Sequence, residues 1–359
     1  MGGTPARRHL PFTVFRTRVV RHYAPVSLPL PSTLDDVRDS QRAPLISIVT
    51  ATYNRSNVLR HAIRSVINQT FDNWELLVIG DACTDDTADV VASFAEPRIR
   101  FVNLATNAGE QSVANNEGVR ISRGRYIAYL NHDDIWLPHH LALLHAHLEQ
   151  TGADLVYALM DLVQRDGTSR LGAASATGRY ELTTNVPASS WLFRRPLFDD
   201  VGPWKYYREC YVPPSRDWLQ RAHAAGKVMV CTQRVSVIAI QSSVRPGSYA
   251  ERQDFEHERI VDRMQAEPDF LERELTAIAL SHALVDPRTG VSTAIRIYVS
   301  RAARNLARLV LDACGLNPRA VRLGFRLRRG AVIDNYRRTR GLPFNPRQHA
   351  PTQKRTNNV

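Results

Sequence analysis

Apolar residues fall into short runs separated by polar breaks, and two kinds of run alternate. Residues 45–51 (Leu-Ile-Ser-Ile-Val-Thr-Ala) are nearly continuously β-prone, as in a strand buried on both faces. Val58, Leu59, Ala62, Ile63 and Val66 then recur at helical spacing. Residues 75–80 read as a second strand, 88–94 as a helix and 99–102 as a third strand. A helix over 111–121 and a strand over 126–130 complete the series. This alternation predicts an α/β fold, a mostly parallel Rossmann-like sheet with helices on both faces.

Ligands of such sheets sit at the carboxyl ends of the strands. That rule selects three polar loops, 52–55, 81–87 and 131–136. Past residue 151 the pattern shortens, with strands at 155–159, 189–193 and 228–230 and a helix over 217–225. Residues 251–315 look helical throughout. The predicted organisation is a flexible basic lead-in (1–43), a catalytic domain (44–245), a helical basic region (246–340) and a disordered tail (341–359).

With 43% apolar and 8% aromatic residues the chain can bury a sizeable core, which excludes a disordered protein. Its net charge of +12 is unevenly spread. From residue 291 onward fifteen Arg and Lys face only Asp312 and Asp334, leaving the first 290 residues close to neutral. Cys83, Cys210, Cys231 and Cys314 are scattered without zinc-ligand spacing, which suits a reducing compartment. No run reaches the ~18 apolar residues of a membrane span. The prolines and arginines of the N-terminus do not resemble a secretory signal. A cytoplasmic location is expected, with peripheral contact at the inner membrane face through 291–340.

The chemistry concentrates in Tyr126–Pro138, which ends in Asn131-His132-Asp133-Asp134. Adjacent carboxylates at a buried strand end repel unless a cation sits between them. A divalent ion with oxygen ligands, Mg²⁺ or Mn²⁺, answers that and also binds diphosphate. The plainer alternative is a solvated Asp-Asp turn. In the loop after the second strand, Thr84, Asp85 and Asp86 suit a helix start. Asp81, one residue past the strand, suits a base-edge donor such as the N3–H of uracil.

In these motifs the chain resembles family 2 glycosyltransferases of the GT-A fold. Residues 46–55 match that family's first strand and TYNR-type loop, and 65–71 its helix-end segment. Residues 81–87 match the DGSTDDT-type loop, Asn107-Ala108-Gly109 the NxG element and 114–118 the ARNxG element. Residues 131–134 occupy the DxDD metal motif, all in order over about ninety positions. Weaker matches follow at 189–194 and 201–204, and Pro214–Arg221 sits where the family carries an ED-type motif. Asn131 stands for the first acid and Arg216 for the Glu, so the metal rests on Asp133 and Asp134 and the base on Asp217.

The resemblance implies inverting transfer of a sugar from a nucleotide-sugar donor, a UDP-sugar by family habit, to a saccharide or lipid-linked acceptor. Asp217 is then the general base, and Asp133 and Asp134 hold Mn²⁺ or Mg²⁺. Thr52, Asn54, Arg55, Asp81, Asn116 and Asp133 line the nucleotide-sugar site. Thr52 and Asn54 also fit as turn formers, and Asp217 as an acid in a helix's first turn. His132, His139 and His140 read as surface or supporting residues, and Trp136 and Trp218 as packing.

Residues 295–313 form an amphipathic pattern, with arginines off its apolar stripe, that suits packing or an anionic membrane. Arg326, Arg328 and Arg329, and Arg337, Arg338 and Arg340, are candidate phosphate binders. A nucleic-acid-binding protein driven by this tail would leave the carboxylate loops without a purpose, and no nucleic acid is expected. A sugar-nucleotide module without catalysis is the other rival. The absence of GxGxxG after the first strand disfavours a dinucleotide dehydrogenase.

Overall fold

The computed structural model describes residues 43–283 and 329–342, with 303, 306, 309 and 310 as isolated helical positions between them. The alternating series forms as the pattern predicts: β1 (Ile46–Thr52), α1 (Ser56–Ile67), β2 (Trp74–Gly80), α2 (Thr87–Ala92), β3 (Ile99–Asn103), α3 (Gln111–Ile121) and β4 (Tyr126–Tyr129). The strands lie in the order β3-β2-β1-β4, all parallel. Every residue of β2 is buried, as a strand covered on both faces requires. The stripe Val58, Leu59, Ala62, Ile63 and Val66 is the buried face of α1. Close approach of α3 to β1 explains Gly118, where an added Cβ would come 2.3 Å from Val49 Cγ1.

Beyond β4 the sheet becomes mixed. It continues through β8 (Trp191–Arg194), β6 (Leu155–Val163) and β9 (Met229–Ala239) to β5 (Asp134–Trp136), with β7 (Ser169–Gly172) beside β6. Helices α4 (His140–Thr151), α5 (Arg195–Val201) and α6 (Pro214–Ala224) cover it. Three details depart from the sequence pattern. The 131–136 loop turns into β5 at Asp134, antiparallel to β9. The 189–193 run begins with a 3₁₀ turn, Ala188–Ser190. β9 runs far past residue 230, because the polar Thr232-Gln233-Arg234 only bends it: Gln233 has φ 55° and the β6–β9 register shifts nearby.

The C-terminal part is helical: α7 (Ser248–Glu251), α8 (Phe255–Ala266), α9 (Phe270–Ala283) and α10 (Ala331–Arg340). Glu267-Pro268-Asp269 separates α8 from α9, interrupting the predicted continuous helix. Ile260 of α8 and Phe270 of α9 join Ile135, Leu137, Val163, Ile238 and Ile240 in a second apolar cluster. Each such buried side chain contributes roughly 1.5–3 kcal/mol to docking these helices. No helix among the described residues is long and apolar enough to cross a membrane. The lead-in 1–42, most of the 295–313 pattern, the 326–328 arginines and the tail from 343 lie outside the described residues.

Candidate active site

Parallel pairing sets the three selected loops side by side. Thr52 is in register with Gly80, and Val49 with Tyr129. Asp81 N–H donates to Thr52 O at 2.8 Å. Asn54, with φ 48°, joins the first two loops: its Oδ1 accepts the N–H of Thr84 (2.8 Å) and its Nδ2 donates to Thr84 Oγ1 (3.2 Å). Thr84 is therefore held by Asn54, and Asp85 meets the start of α2 by accepting Thr87 N–H at 3.2 Å. Asp86 instead binds Ser56 Oγ (2.5 Å) and Arg252 (3.1 Å).

Asp81 is 4% exposed, and burial pushes its carboxyl above the usual range while two backbone N–H groups oppose that. Those groups belong to Ala108 (2.7 Å to Oδ1) and Gly109 (3.0 Å to Oδ2), and Asn107 Nδ2 donates to Asp81 O. The loop after β3 is thereby tied to the end of β2. Gly109 adopts φ +84°, and an added Cβ would sit 2.9 Å from Arg337 Nη1.

The two neighbouring aspartates have different surroundings. Asp134 is 3% exposed, and its Oδ2 accepts from Asn131 Nδ2 (2.9 Å) and Ser189 Oγ. Burial, and then the charge of Asp133, raise its pKa. Asp133 Oδ2 accepts the N–H of Ser242 at 3.0 Å. Burial opposes its ionisation, but His132, Arg340 and Ser242 together hold it below the usual carboxylate range.

A cationic group surrounds Asp133. Arg55 is 3% exposed, donates to Ser248 O and lies with its Cζ 5.0 Å from the centre of the Tyr249 ring. Arg340 of α10 lies 5.8 Å from the same ring. Tyr249 Oη meets His132 Nε2 at 3.4 Å, and His132 Nδ1 meets Ala51 O at 3.1 Å. Alongside, a cavity of about 410 Å³ is lined by Arg55, Ser242, Ser248, Phe255 and His257 among others.

The other expected residues take separate places. Asn116 uses both ends of its amide on the backbone of Trp204, at 2.9 Å each, pinning α3 to that segment. Asp217 lies in the first turn of α6, where its carboxylate pairs with Arg221 (2.9 Å) and stands 3.8 Å from Lys205. Arg216 is buried and donates to Leu182 O. Trp218 is 0% exposed, stacked on Trp191, and so packs the core; Trp136 donates to Ser189 O at 2.7 Å. His140 is not a surface residue: it is fully buried, stacked on Trp136 and bonded to Ser236 Oγ.

Sequence reasoning missed Ser189, Ser242 and Tyr249. Ser242 acts through its backbone N–H, which has no sequence signature. Arg340 had a signal, the Arg337-Arg338-Thr339-Arg340 cluster, but nothing in the pattern said where that cluster folds.

Asp133 offers one carboxylate, with Arg55 and Arg340 close to it. Mg²⁺ is commonly held by one or two carboxylates together with substrate phosphates, and oxygen ligands suit Mg²⁺ or Mn²⁺. A different cluster, His61, Asp254 and Glu258, also brings ligand atoms together, but Arg60 already bridges its two carboxylates at 2.5 and 2.8 Å.

A sheet parallel at its start and mixed beyond, with polar loops gathered at the carboxyl ends of β1, β2 and β4, is the arrangement of a GT-A-type fold. The sequence model of Glycosyl transferase family 2 matches residues 47–202, so that segment is similar to glycosyltransferase family 2. The chain is 30% identical over 122 residues to the UDP-Glc:alpha-D-GlcNAc-diphosphoundecaprenol beta-1,3-glucosyltransferase WfgD of Escherichia coli, covering 34% of this chain and 48% of that one. It is 33% identical over 170 residues to the succinoglycan biosynthesis protein ExoO of Rhizobium meliloti (44% and 48%). A PGL/p-HBAD biosynthesis glycosyltransferase of Mycobacterium bovis is 29% identical over 187 residues (48% and 72%). The chain spans about half the length of curated relatives it matches, 60%, 50%, 48% and 48% in four cases.

Proposed function

We propose that this protein moves a sugar from a nucleotide-sugar donor to an acceptor hydroxyl, with the 44–245 segment as its catalytic domain. The observation that carries this reading is the placement of Asp81 and Asp133 just past the carboxyl ends of β2 and β4, the two strands that flank β1, one suited to a base edge and the other to a cation–diphosphate. Similarity to glycosyltransferase family 2 over residues 47–202 supports the reaction class, and the donor, the metal and the stereochemistry are further parts of the proposal. A UDP-sugar is the proposed donor. A lipid-linked saccharide is the proposed acceptor, a choice supported by the diphosphoundecaprenol in the name of the WfgD relative.

In the proposed reaction the acceptor oxygen attacks the anomeric carbon as the bond from that carbon to the diphosphate oxygen breaks. One displacement inverts the configuration, the nucleoside diphosphate leaves with the electron pair, and Asp217 accepts the hydroxyl proton. Arg221 holds the Asp217 carboxylate and orients it for that role. Asp133 would hold the divalent cation, while Asp134, tied by Asn131 and Ser189, fixes the turn that presents it. When bound, the cation offsets charge growing on the leaving diphosphate. Thr52, Asn54, Arg55 and Asp81 shape the nucleotide pocket, with Asn116 supporting it through Trp204.

Incubation of the protein with UDP-, GDP-, dTDP- and CMP-sugars, with Mn²⁺, Mg²⁺ or EDTA, tests the reading through nucleotide release. Metal-dependent release from one donor, lost in Asp133→Asn, is the expected result. Neither binding nor release across the panel would overturn it.

A further inference from the structure

Helix α10 lies more than a hundred residues beyond the family-matched segment, yet it crosses the proposed donor site. Its ends are held by Gly330 N–H to Cys210 O and Gly247 N–H to Thr339 O, each 2.9 Å. Between them Asp334 pairs with Arg208 at 3.5 Å. Arg337 is buried and donates to Gly109 O, on the loop whose N–H groups bind Asp81. Three residues on, and so on the same helix face, Arg340 reaches the Tyr249 ring and the field of Asp133. One turn of helix therefore spans the distance from the proposed base end of the site to its proposed diphosphate end.

The charge at that second end is unbalanced. Arg55 and Arg340 flank one Tyr249 ring, with Asp133 as the carboxylate acting on both Arg55 and Tyr249. The Nε of each arginine is buried and without a hydrogen-bond partner among the described residues. Buried guanidinium N–H groups call for acceptor oxygens, and an arginine fork matches phosphate geometry. A diphosphate beside a cation on Asp133 supplies such oxygens.

We propose that Arg340, with Arg55, binds the diphosphate of the donor, and that α10 is the cover that completes the donor site. This rests on the glycosyltransferase reading above. Without donor, the Arg340 guanidinium balances the charge of Asp133; with donor and cation in place, it turns to the phosphate oxygens. The basic cluster at 337–340 thereby has an occupant inside the enzyme, and Arg338, exposed on the same helix, has no part in it.

The test is calorimetric binding of UDP, GDP and dTDP, and of their monophosphates, to the full chain in MgCl₂. Wild type, Arg340→Gln, Arg340→Lys and Arg338→Gln are compared. Arg340→Gln is expected to weaken the bound diphosphate about tenfold or more while shifting its monophosphate less than about twofold. Arg340→Lys should recover part of the loss, and Arg338→Gln should match wild type. Equal diphosphate affinity in Arg340→Gln and wild type would overturn the inference and leave the transferase reading standing. Parallel loss of both nucleotides would also overturn it, by making Arg340 a packing residue. If wild type binds none of the nucleotides, the transferase reading fails and the inference with it.

Discussion

Ser189 and Asn131 donate to the same oxygen of Asp134, at 2.5 and 2.9 Å, while the carboxylate of Asp133 next to it is held by Ser242, whose backbone N–H donates at 3.0 Å. Two adjacent carboxylates therefore have two tasks. Asp134→Ala leaves a buried hydroxyl and amide without their acceptor, a loss of about 1–3 kcal/mol that lowers Tm by several degrees. Asp133→Asn keeps the Ser242 bond and the fold but removes the charge for the cation, cutting turnover about 100-fold or more. Thermal unfolding and nucleotide release on both variants check this. Equal effects of the two changes on Tm and turnover would erase the division.

Asp217 is argued as the base, and its pair with Arg221 makes a separable prediction. Asp217→Asn preserves size and hydrogen bonding but cannot take a proton, so transfer should fall about 10²–10⁴-fold. The KM for donor should stay unchanged, because donor binding does not use this side chain. Steady-state kinetics with a competent acceptor decides the matter, and transfer at wild-type rate in Asp217→Asn would remove the residue from the mechanism.

The parallel half of the fold was legible because its signal is local: continuous apolar strands and striped helices pattern themselves within ten residues, as β2 and α1 do. The mixed half was less so. β9 hides behind Thr232-Gln233-Arg234, and β5 is three residues long inside a run that reads as a loop. The loops carrying Thr52, Asp81 and Asp133 were found because strand ends mark them. What could not be read was long-range pairing: Asn116 with Trp204, Arg337 with Gly109, and Ser242 with Asp133 join positions 88, 228 and 109 residues apart. Such contacts depend on backbone groups and on the path of the chain, neither of which leaves a trace in residue type.

Asp161 of β6 gives the pH prediction. It is 1% exposed, and neither of its carboxylate oxygens has a hydrogen-bond partner among the described residues. Burial first, and then the nearby Glu274, raise its pKa from 3.8 to about 6, against the opposing pull of Ser169 and Arg263. The folded chain therefore keeps this proton at pH values where the unfolded chain has lost it. Stability present below pH 3.8 is lost as pH rises from there through about 6, by up to ~3 kcal/mol, and then levels off. Asp161→Asn removes the titration, and its amide can donate to Glu274. Urea unfolding at pH 4, 6 and 8 should show the variant gaining on wild type as pH rises, with most of the gain complete by pH 7. Other carboxylates shift both proteins alike, so the difference isolates this site. Parallel pH curves for the two proteins would show that Asp161 is ionised in the fold, and that Arg263 outweighs its burial.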